Sequence, residues 1–231
     1  MDEDLSGLIA AGITGRHPLP NEDVLSQKFG SWGIGSETQV VVYDDRSGMI
    51  AARLWWLLHW MGHENVAVLD GGFPVWVASG YPVNDHIPTQ KTAEFSPNTQ
   101  AQMVATAHDV LNHFGDPGYM LVDSRAPERF LGVDEPIDPV AGHIPGAINY
   151  PFEKNIDVNG NFQLKQILNG RFTSLFSGIP TNHVTFYCGS GVTAALNVLA
   201  VFHSGLGMPR LYAGSWSEWI TDPERPITLG E

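Results

Sequence analysis

The sequence predicts an α/β protein of two tandem domains, each a mainly parallel sheet flanked by helices, with the first domain incomplete. Two observations predict this class. Short β-branched runs are followed by loops and helical stretches, which is the order of βαβ units. The order strand, loop, helix, strand and Gly-x-x-x-x-Trp also occurs twice. Segment 41–44 corresponds to 185–188 and segment 71–76 to 214–219, an offset of about 144 residues.

The elements of the first domain follow in order from residue 21. Residues 21–29 are predicted to form a short helix with Asn21 as its N-terminal cap. The run Gln-Val-Val-Val-Tyr at 39–43 predicts a strand, residues 50–61 a helix, and Asn-Val-Ala-Val-Leu at 65–69 a second strand.

Composition divides the chain into a first domain at 1–85, a linker at 86–100 and a second domain at 101–231. The linker region is rich in proline and polar residues, which is typical of an extended connection. The second domain is predicted to open with a helix at 101–114 and to continue with its first strand at 119–123.

The only cysteine of the chain, Cys188, lies between a predicted strand at 184–187 and a predicted helix that starts near Thr193. Gly189 and Gly191 allow the backbone to turn between this strand and this helix. Ligands of open α/β sheets bind at the carboxyl ends of strands, where loop N–H groups and the helix dipole favour negative charge. The position favours a nucleophilic thiolate, although a lone cysteine is often a small core residue.

Three segments carry a resemblance to a known family. The loop Cys-Gly-Ser-Gly-Val-Thr at 188–193 resembles the active-site loop of the 3-mercaptopyruvate sulfurtransferases in the rhodanese superfamily. Gly-His-Ile-Pro-Gly-Ala at 142–147 and Gly-Ser-Trp-Ser-Glu-Trp at 214–219 are similar to that family's upstream and closing motifs. Thiosulfate-preferring rhodaneses carry basic residues after the cysteine, where this chain has Gly189 and Ser190. The resemblance covers nearly the whole chain and implies two tandem rhodanese-like domains.

The resemblance also implies an activity. The chain is expected to move the sulfur of 3-mercaptopyruvate, through a persulfide on Cys188, to a thiol or cyanide acceptor and to release pyruvate. Ser190 is expected to take part in catalysis by activating the donor. The other loop residues are expected to bind the donor: Gly189, Gly191, Val192 and Thr193. The Ser190 and Thr193 hydroxyls could instead cap the helix that follows.

Arginine is the residue expected to hold the carboxylate of a small acid. The resemblance places one substrate arginine at Arg129, for which a surface salt bridge to Glu128 or Asp134 is the alternative. Arg125 is expected to be structural. Many members of the family have a second arginine after a Glu-Pro pair, where this chain has Ile-Asp at 137–138, so the second carboxylate contact is in doubt.

The two halves differ at the position of the cysteine, where the first domain has Asp44. A carboxylate cannot carry a sulfane sulfur, so the first domain is expected to be catalytically silent. It also lacks a copy of the strand and of the Gly-His-Ile-Pro-Gly segment that precede the loop in the second domain, so the resemblance implies an amino-terminal truncation. The remaining first domain is expected to dock on the second, with a more open cleft near Cys188.

Composition limits the partners. A formal net charge of −13 disfavours nucleic acid, whose phosphates such a surface repels. No apolar run reaches the length of a membrane span, and a single cysteine suits the reducing cytoplasm. The histidines lack metal-ligand spacing and Gly71-Gly72 lacks the dinucleotide fingerprint, so neither a metal nor a cofactor is expected. The expected partners are a small-molecule sulfur donor and a thiol acceptor such as thioredoxin.

Three alternatives stay open. Thiosulfate is the nearest rival donor, but a dianion would favour basic residues in the loop. A cysteine phosphatase would need an arginine that grips phosphate where Ala194 and Ala195 stand. A degenerate, non-enzymatic pair of domains is the third alternative, and the intact loop at Cys188 argues against it.

Overall fold

The structure, a computed structural model, describes residues 1, 3–89 and 91–230. The first domain contains α1 (Glu22–Ser31), β1 (Val40–Val42), α2 (Ala51–Trp60), β2 (Val66–Val68) and α3 (Gly72–Ala78). The helices and strands predicted between residues 21 and 69 are therefore confirmed. The start of α1 is set by Asn21, whose side chain accepts hydrogen bonds from the N–H groups of Asp23 and Val24. β1 and β2 form a two-stranded parallel sheet.

The second domain is a five-stranded sheet with helices on both faces. Its elements are β3 (Val104–Ala105), α4 (Ala107–Asn112), β4 (Met120–Asp123), α5 (Pro127–Leu131), β5 (Ile148–Asn149), α6 (Lys165–Phe176), β6 (Val184–Tyr187), α7 (Ala194–Ser204), β7 (Arg210–Tyr212) and α8 (Ser215–Trp219). The strand order is β3-β7-β6-β4-β5 and every pair is parallel. The predicted fold class is confirmed.

The predicted single helix over 101–114 is wrong in its first half. The chain forms a 3₁₀ turn at Ala101–Met103 and then β3, and α4 begins only after Thr106. The Thr106 hydroxyl accepts the Asp109 N–H at 3.1 Å while the Asp109 carboxylate accepts the Thr106 N–H at 2.8 Å, a capping box that starts the helix there. Because β3 pairs with β7, β4 is the second strand of its sheet in chain order and not the first.

One apolar core joins the two domains. Trp56 and Leu58 of α2 belong to the same buried cluster as Leu196 and Val201 of α7. A second cluster covers the opposite face of the five-stranded sheet and includes Trp216 of α8. The first domain is therefore docked on α7, the helix that follows the cysteine loop.

The segment 86–100 has no helix or strand among its described residues. It is nonetheless fastened to the first domain, because Phe95 is buried against Phe29 with ring centroids 5.1 Å apart and its carbonyl accepts the Ser26 hydroxyl at 2.9 Å. No helix in the described part of the chain has both the length and the apolar character needed to cross a membrane.

Candidate active site

Cys188 follows β6 directly and lies at the carboxyl edge of the second sheet. Its side chain is buried, its N–H donates to the Ser215 hydroxyl at 3.1 Å, and its Sγ accepts the Gly191 N–H at 3.2 Å. Gly191 has a φ of +76°, and a Cβ at this position would overlap the Ala213 carbonyl. Only glycine therefore lets the loop fold back far enough to aim this N–H at the sulfur.

The loop hydroxyls do not cap α7. Thr193 occupies the N-cap position but makes no capping bond with its side chain. The helix instead starts from the Val192 carbonyl, which accepts the Ala195 N–H at 3.1 Å. Ser190 Oγ lies 2.8 Å from Nδ1 of His17, a residue of the first domain. The hydroxyl that the resemblance assigns to donor activation is thus held by an imidazole from the other half of the chain.

Residues 15–17 reach the cysteine loop from the far end of the sequence, and sequence reasoning missed them. A Cβ on Gly15 would come within 2.5 Å of the Gly214 carbonyl oxygen, and the Arg16 N–H donates to the Ser217 hydroxyl at 3.0 Å. These contacts with α8 and the residue before it place Arg16 and His17 next to the cysteine loop. The available signal was a pair of basic side chains ahead of a proline, in a chain of strongly negative net charge.

Arg53 of α2 is a buried cation behind the cysteine loop, and it was also missed. Its Nη1 donates to the Gly191 carbonyl at 3.1 Å and its Nη2 to the His17 carbonyl at 3.2 Å. Its Nε has no hydrogen-bond partner among the described residues. Burial lowers the pKa of Arg53 to about 10, and negative charge on Cys188 opposes this shift. The guanidinium is therefore charged at neutral pH, and its positive charge lies behind the cysteine loop.

Arg129 lies beside the loop within a network of acidic side chains. Its Nε donates to the Glu135 carboxylate at 2.9 Å and its Nη2 to Asp138 at 3.0 Å, so its ion pairs are not with the two carboxylates named as the alternative. A Cβ added to Gly189 would lie 3.2 Å from Arg129 Nη2. The guanidinium therefore borders the residue that follows the cysteine.

Arg125 is enclosed by the protein. It forms ion pairs with Asp123 at 2.6 Å and Glu135 at 3.2 Å, and it donates to the Gly142 carbonyl at 2.7 Å. Its guanidinium lies 4.9 Å from the centre of the Trp216 ring. The side chain is buried, and these contacts tie the end of β4 to the segment around Gly142, the structural role expected of it.

Asp44 fills the loop of the first domain that corresponds to the cysteine loop. Its two carboxylate oxygens accept the N–H groups of Arg46, Gly48, Ile50 and Ala51 at 2.7–2.8 Å. Burial raises the pKa of Asp44, but these four donors outweigh it and hold the pKa below its usual value. The loop architecture is therefore an anion-binding cradle, occupied in this copy by a side chain of the protein.

No cluster of three or more His, Cys, Asp or Glu side chains suited to a metal ion exists in the described ranges 1, 3–89 and 91–230. The chemistry of the site is assembled from one thiol, a hydroxyl–imidazole pair and three guanidinium groups, which are those of Arg16, Arg53 and Arg129.

The rhodanese-like domain family matches two segments of the chain, residues 10–79 and 106–222. A probable 3-mercaptopyruvate sulfurtransferase of Pseudomonas aeruginosa is 45% identical over 232 residues, covering all of this chain and 82% of the relative. A putative thiosulfate sulfurtransferase of Mycobacterium tuberculosis is 40% identical over 243 residues, covering all of this chain and 80% of the relative.

Among solved structures, the 3-mercaptopyruvate sulfurtransferase from Leishmania major superimposes with a TM-score of 0.81 at 30% identity. The match covers 94% of this chain, which spans 60% of that structure.

Proposed function

Since this chain belongs to the rhodanese-like family, we propose that it is a sulfurtransferase with 3-mercaptopyruvate as donor and Cys188 as sulfur carrier. The observation that supports this most is that the Cys188 sulfur accepts the Gly191 N–H, while the buried Arg53 guanidinium donates to the Gly191 carbonyl. Such a site favours a negatively charged sulfur before and after transfer.

In the proposed first half-reaction, the Cys188 thiolate attacks the sulfur of 3-mercaptopyruvate. The sulfur–sulfur bond forms as the carbon–sulfur bond breaks, and the electron pair of the broken bond passes to the enolate of pyruvate. The enolate takes the proton of the former thiol and leaves as pyruvate, so the persulfide anion remains on Cys188. We propose that the Ser190 hydroxyl, which lies 2.8 Å from His17 Nδ1, donates to the developing enolate oxygen.

In the second half-reaction, a thiolate or cyanide attacks the outer sulfur and restores the Cys188 thiolate. The chain has no second cysteine, so the acceptor must come from outside it. We propose a thiol such as that of reduced thioredoxin as the acceptor. We also propose a cytoplasmic location, because a carrier with one free cysteine needs a reducing environment.

Thiosulfate is the second candidate donor. Gly189 and Ser190 supply no charge to the loop, but Arg16 and Arg129 border Gly189 and could attract a dianion. The 40% identical relative from Mycobacterium tuberculosis is named for thiosulfate. A phosphatase is not supported, because Ala194 and Ala195 are fully buried where the phosphate-gripping arginine would be needed.

The test is steady-state kinetics with both donors, combined with mass spectrometry of the intact protein. Incubation with 3-mercaptopyruvate should add one sulfur atom and release pyruvate, and Cys188→Ser should abolish both. We expect kcat/KM for 3-mercaptopyruvate to exceed that for thiosulfate by at least about tenfold, or ~1.4 kcal/mol of transition-state discrimination. An active serine variant would exclude the persulfide mechanism, and equal or reversed preference would favour thiosulfate.

A further inference from the structure

An exposed apolar turn projects from the segment that carries Arg16 and His17. Residues 8–13 are Leu-Ile-Ala-Ala-Gly-Ile, and every one of them is exposed. The exposed fractions are 95% for Leu8, 66% for Ile9 and 71% for Ile13. Consecutive exposed residues without a single polar side chain typically mark a surface that contacts a partner. We refer to residues 8–13 as the apolar tip.

The apolar tip is held in place by hydrogen bonds of its own loop. At the base of the loop, the Gly7 N–H donates to the Pro18 carbonyl at 2.9 Å. Within the loop, the Ala10 carbonyl accepts the N–H groups of Ile13 and Thr14 at 3.0 Å. Compact surface loops whose ends meet in this way are frequently functional. The loop therefore has a defined shape that keeps the apolar side chains in solvent.

The second limb of the same loop borders the site of the thiol. His17 Nδ1 lies 2.8 Å from Ser190 Oγ, and Arg16 forms an ion pair with Asp138. Because consecutive Cα atoms are 3.8 Å apart, the Cα atom of Ile13 lies within about 11 Å of that of Arg16. The apolar tip thus stands at the rim of the site.

Exposed apolar side chains also lie at the Asp138 end of this ion pair. Val133 is 77% exposed and Ile137, the residue before Asp138, is 58% exposed. Asp138 belongs to the second domain and Arg16 to the first. The rim of the site therefore carries exposed apolar side chains from both domains.

The chemistry of the thiol indicates what covers this rim. Cys188 is only 2% exposed and is the one cysteine of the chain, so the outer sulfur of the proposed persulfide must pass to an external acceptor. The new sulfur–sulfur bond is about 2.05 Å long. A protein thiol therefore reaches that sulfur only if the surface around the thiol lies against the rim, where the apolar tip stands.

Charge favours a protein over a membrane as the partner of the tip. Residues 7–14 contain no charged side chain, and the chain has a formal net charge of −13. Segments that bind anionic lipid surfaces carry lysine or arginine beside their apolar residues. The first basic residue after the tip is Arg16, which is already paired with Asp138.

We propose that the apolar tip is the docking surface for a protein sulfur acceptor whose reactive cysteine lies in an uncharged, apolar surface. Burial of Leu8 and Ile9 against such a surface removes apolar area from water, which drives association without matching charges. This inference rests on the proposed function, because it assumes an external thiol acceptor.

The test measures attack by Cys188 on an activated thiol, which requires no sulfur donor. The probe is thioredoxin with one reactive cysteine, activated as its disulfide with 5-thio-2-nitrobenzoate, and the reference is glutathione activated in the same way. The Cys188 thiolate forms a disulfide with the sulfur of the probe, the activating disulfide breaks, and the coloured thionitrobenzoate anion leaves. The ratio of the two rate constants reports docking, because glutathione has no protein surface.

Leu8→Ser/Ile9→Ser is compared with the matched control Val83→Ser/Ile87→Ser, which removes two exposed apolar side chains ahead of the second domain. The tip variant should lower the thioredoxin-to-glutathione rate ratio by at least about tenfold, equivalent to ~1.4 kcal/mol, because two apolar side chains no longer leave water on docking. The control should keep the ratio, and the rate with glutathione should stay within about twofold in both variants. In turnover with 3-mercaptopyruvate, KM for reduced thioredoxin should rise by a similar factor in the tip variant, whereas KM for dithiothreitol should not. If the double variant does not fold, Ile9→Ser decides the question with an expected loss of about threefold.

The possible failures are distinguishable. If wild type releases no pyruvate but the tip variant still lowers the ratio, the assigned donor is wrong and the docking surface stands. If wild type releases pyruvate and the folded tip variants keep both the ratio and KM for thioredoxin, the inference about the tip is wrong. The inference is also wrong if the rates with thioredoxin and glutathione fall together, because the tip then supports the site itself.

Two other occupants of the tip would equally overturn the inference. Binding of wild type to vesicles of phosphatidylcholine and phosphatidylglycerol, lost in the tip variant while the ratio is unchanged, would assign the tip to a membrane. A wild-type dimer in sedimentation velocity that the tip variant dissociates, again with an unchanged ratio, would assign the tip to a second copy of this chain.

Discussion

The carboxylate of Asp44 should be a large local contributor to the stability of the first domain. It accepts four backbone N–H groups, two on each oxygen, and Asp44→Asn leaves one oxygen while turning an NH₂ group toward two of those donors. Hydrogen bonds to a charged acceptor are worth about 1.5–3 kcal/mol each when buried. Because Asp44 is only half-buried, the lower end of that range applies, and two lost bonds should cost ~2–4 kcal/mol.

The pH dependence of this loss has a definite sign. The pKa of Asp44 is lowered in the folded protein, so its contribution is complete above the pKa of an unfolded aspartate, about 3.9. The contribution is lost as the pH falls through the still lower folded value. The free energy of unfolding should therefore differ between wild type and Asp44→Asn by a constant amount from about pH 5 to 8, and the difference should shrink below about pH 4.

Urea unfolding followed by tryptophan fluorescence measures this difference, because Trp55 and Trp56 lie on α2, directly after the Asp44 loop. Asp45→Asn is the matched control, since it removes the same charge from the neighbouring residue, whose side chain is 77% exposed. The control should change the free energy of unfolding by less than about 0.5 kcal/mol. An Asp44→Asn variant as stable as the control, or a deficit that persists undiminished at pH 3, would refute the reasoning.

Two further predictions concern the contacts between the domains. Arg53→Met removes the cation behind Gly191 and should slow single-turnover pyruvate release at neutral pH by at least about tenfold. The pH–rate profile should move to higher pH while the circular dichroism spectrum stays unchanged. An unshifted profile would show that Arg53 does not contribute to the electrostatics of the loop. Gly15→Ala should raise KM for 3-mercaptopyruvate, because the added methyl group collides with the Gly214 carbonyl and moves the segment that carries Arg16. The control Gly170→Ala lies in α6 where the space is open, and it should leave KM unchanged.

Local signals predicted most of the fold. The helix α1 begins at its cap because Asn21 satisfies two backbone donors by itself, without help from distant residues. β6 was predictable because its four residues are all β-branched or aromatic and are buried on both faces of the sheet. β3 was not, because two residues become a strand only when β7 is alongside, and nothing in the local pattern reveals that pairing.

The difference between local signals and contacts with distant residues also decides which site residues could be predicted. Cys188 and its glycines were found because strand, turn and helix follow one another in the sequence. Arg16 was missed because its position depends on contacts with residues about 200 positions away, such as Ser217. Arg53 was missed because it lies in a strongly apolar helical run, where a long side chain is expected to reach solvent rather than the interior.

The repeat shows how one loop architecture can hold an anion in two ways. In the first domain the Asp44 carboxylate fills the cradle permanently. In the second domain the Cys188 sulfur stands in the corresponding loop and accepts the Gly191 N–H. The persulfide that we propose would add one sulfur atom to this side chain and bring its negative charge into the same loop.

The first domain, whose own loop holds Asp44, also contributes to the surroundings of Cys188. Among the described residues, Arg16, His17 and Arg53 of the first domain bring charged or polar groups to the cysteine loop. A buried thiolate without compensating cations or hydrogen-bond donors would be costly. The electrostatic surroundings of Cys188 are thus set in part by the first domain, which shares one continuous apolar core with the second across α2 and α7.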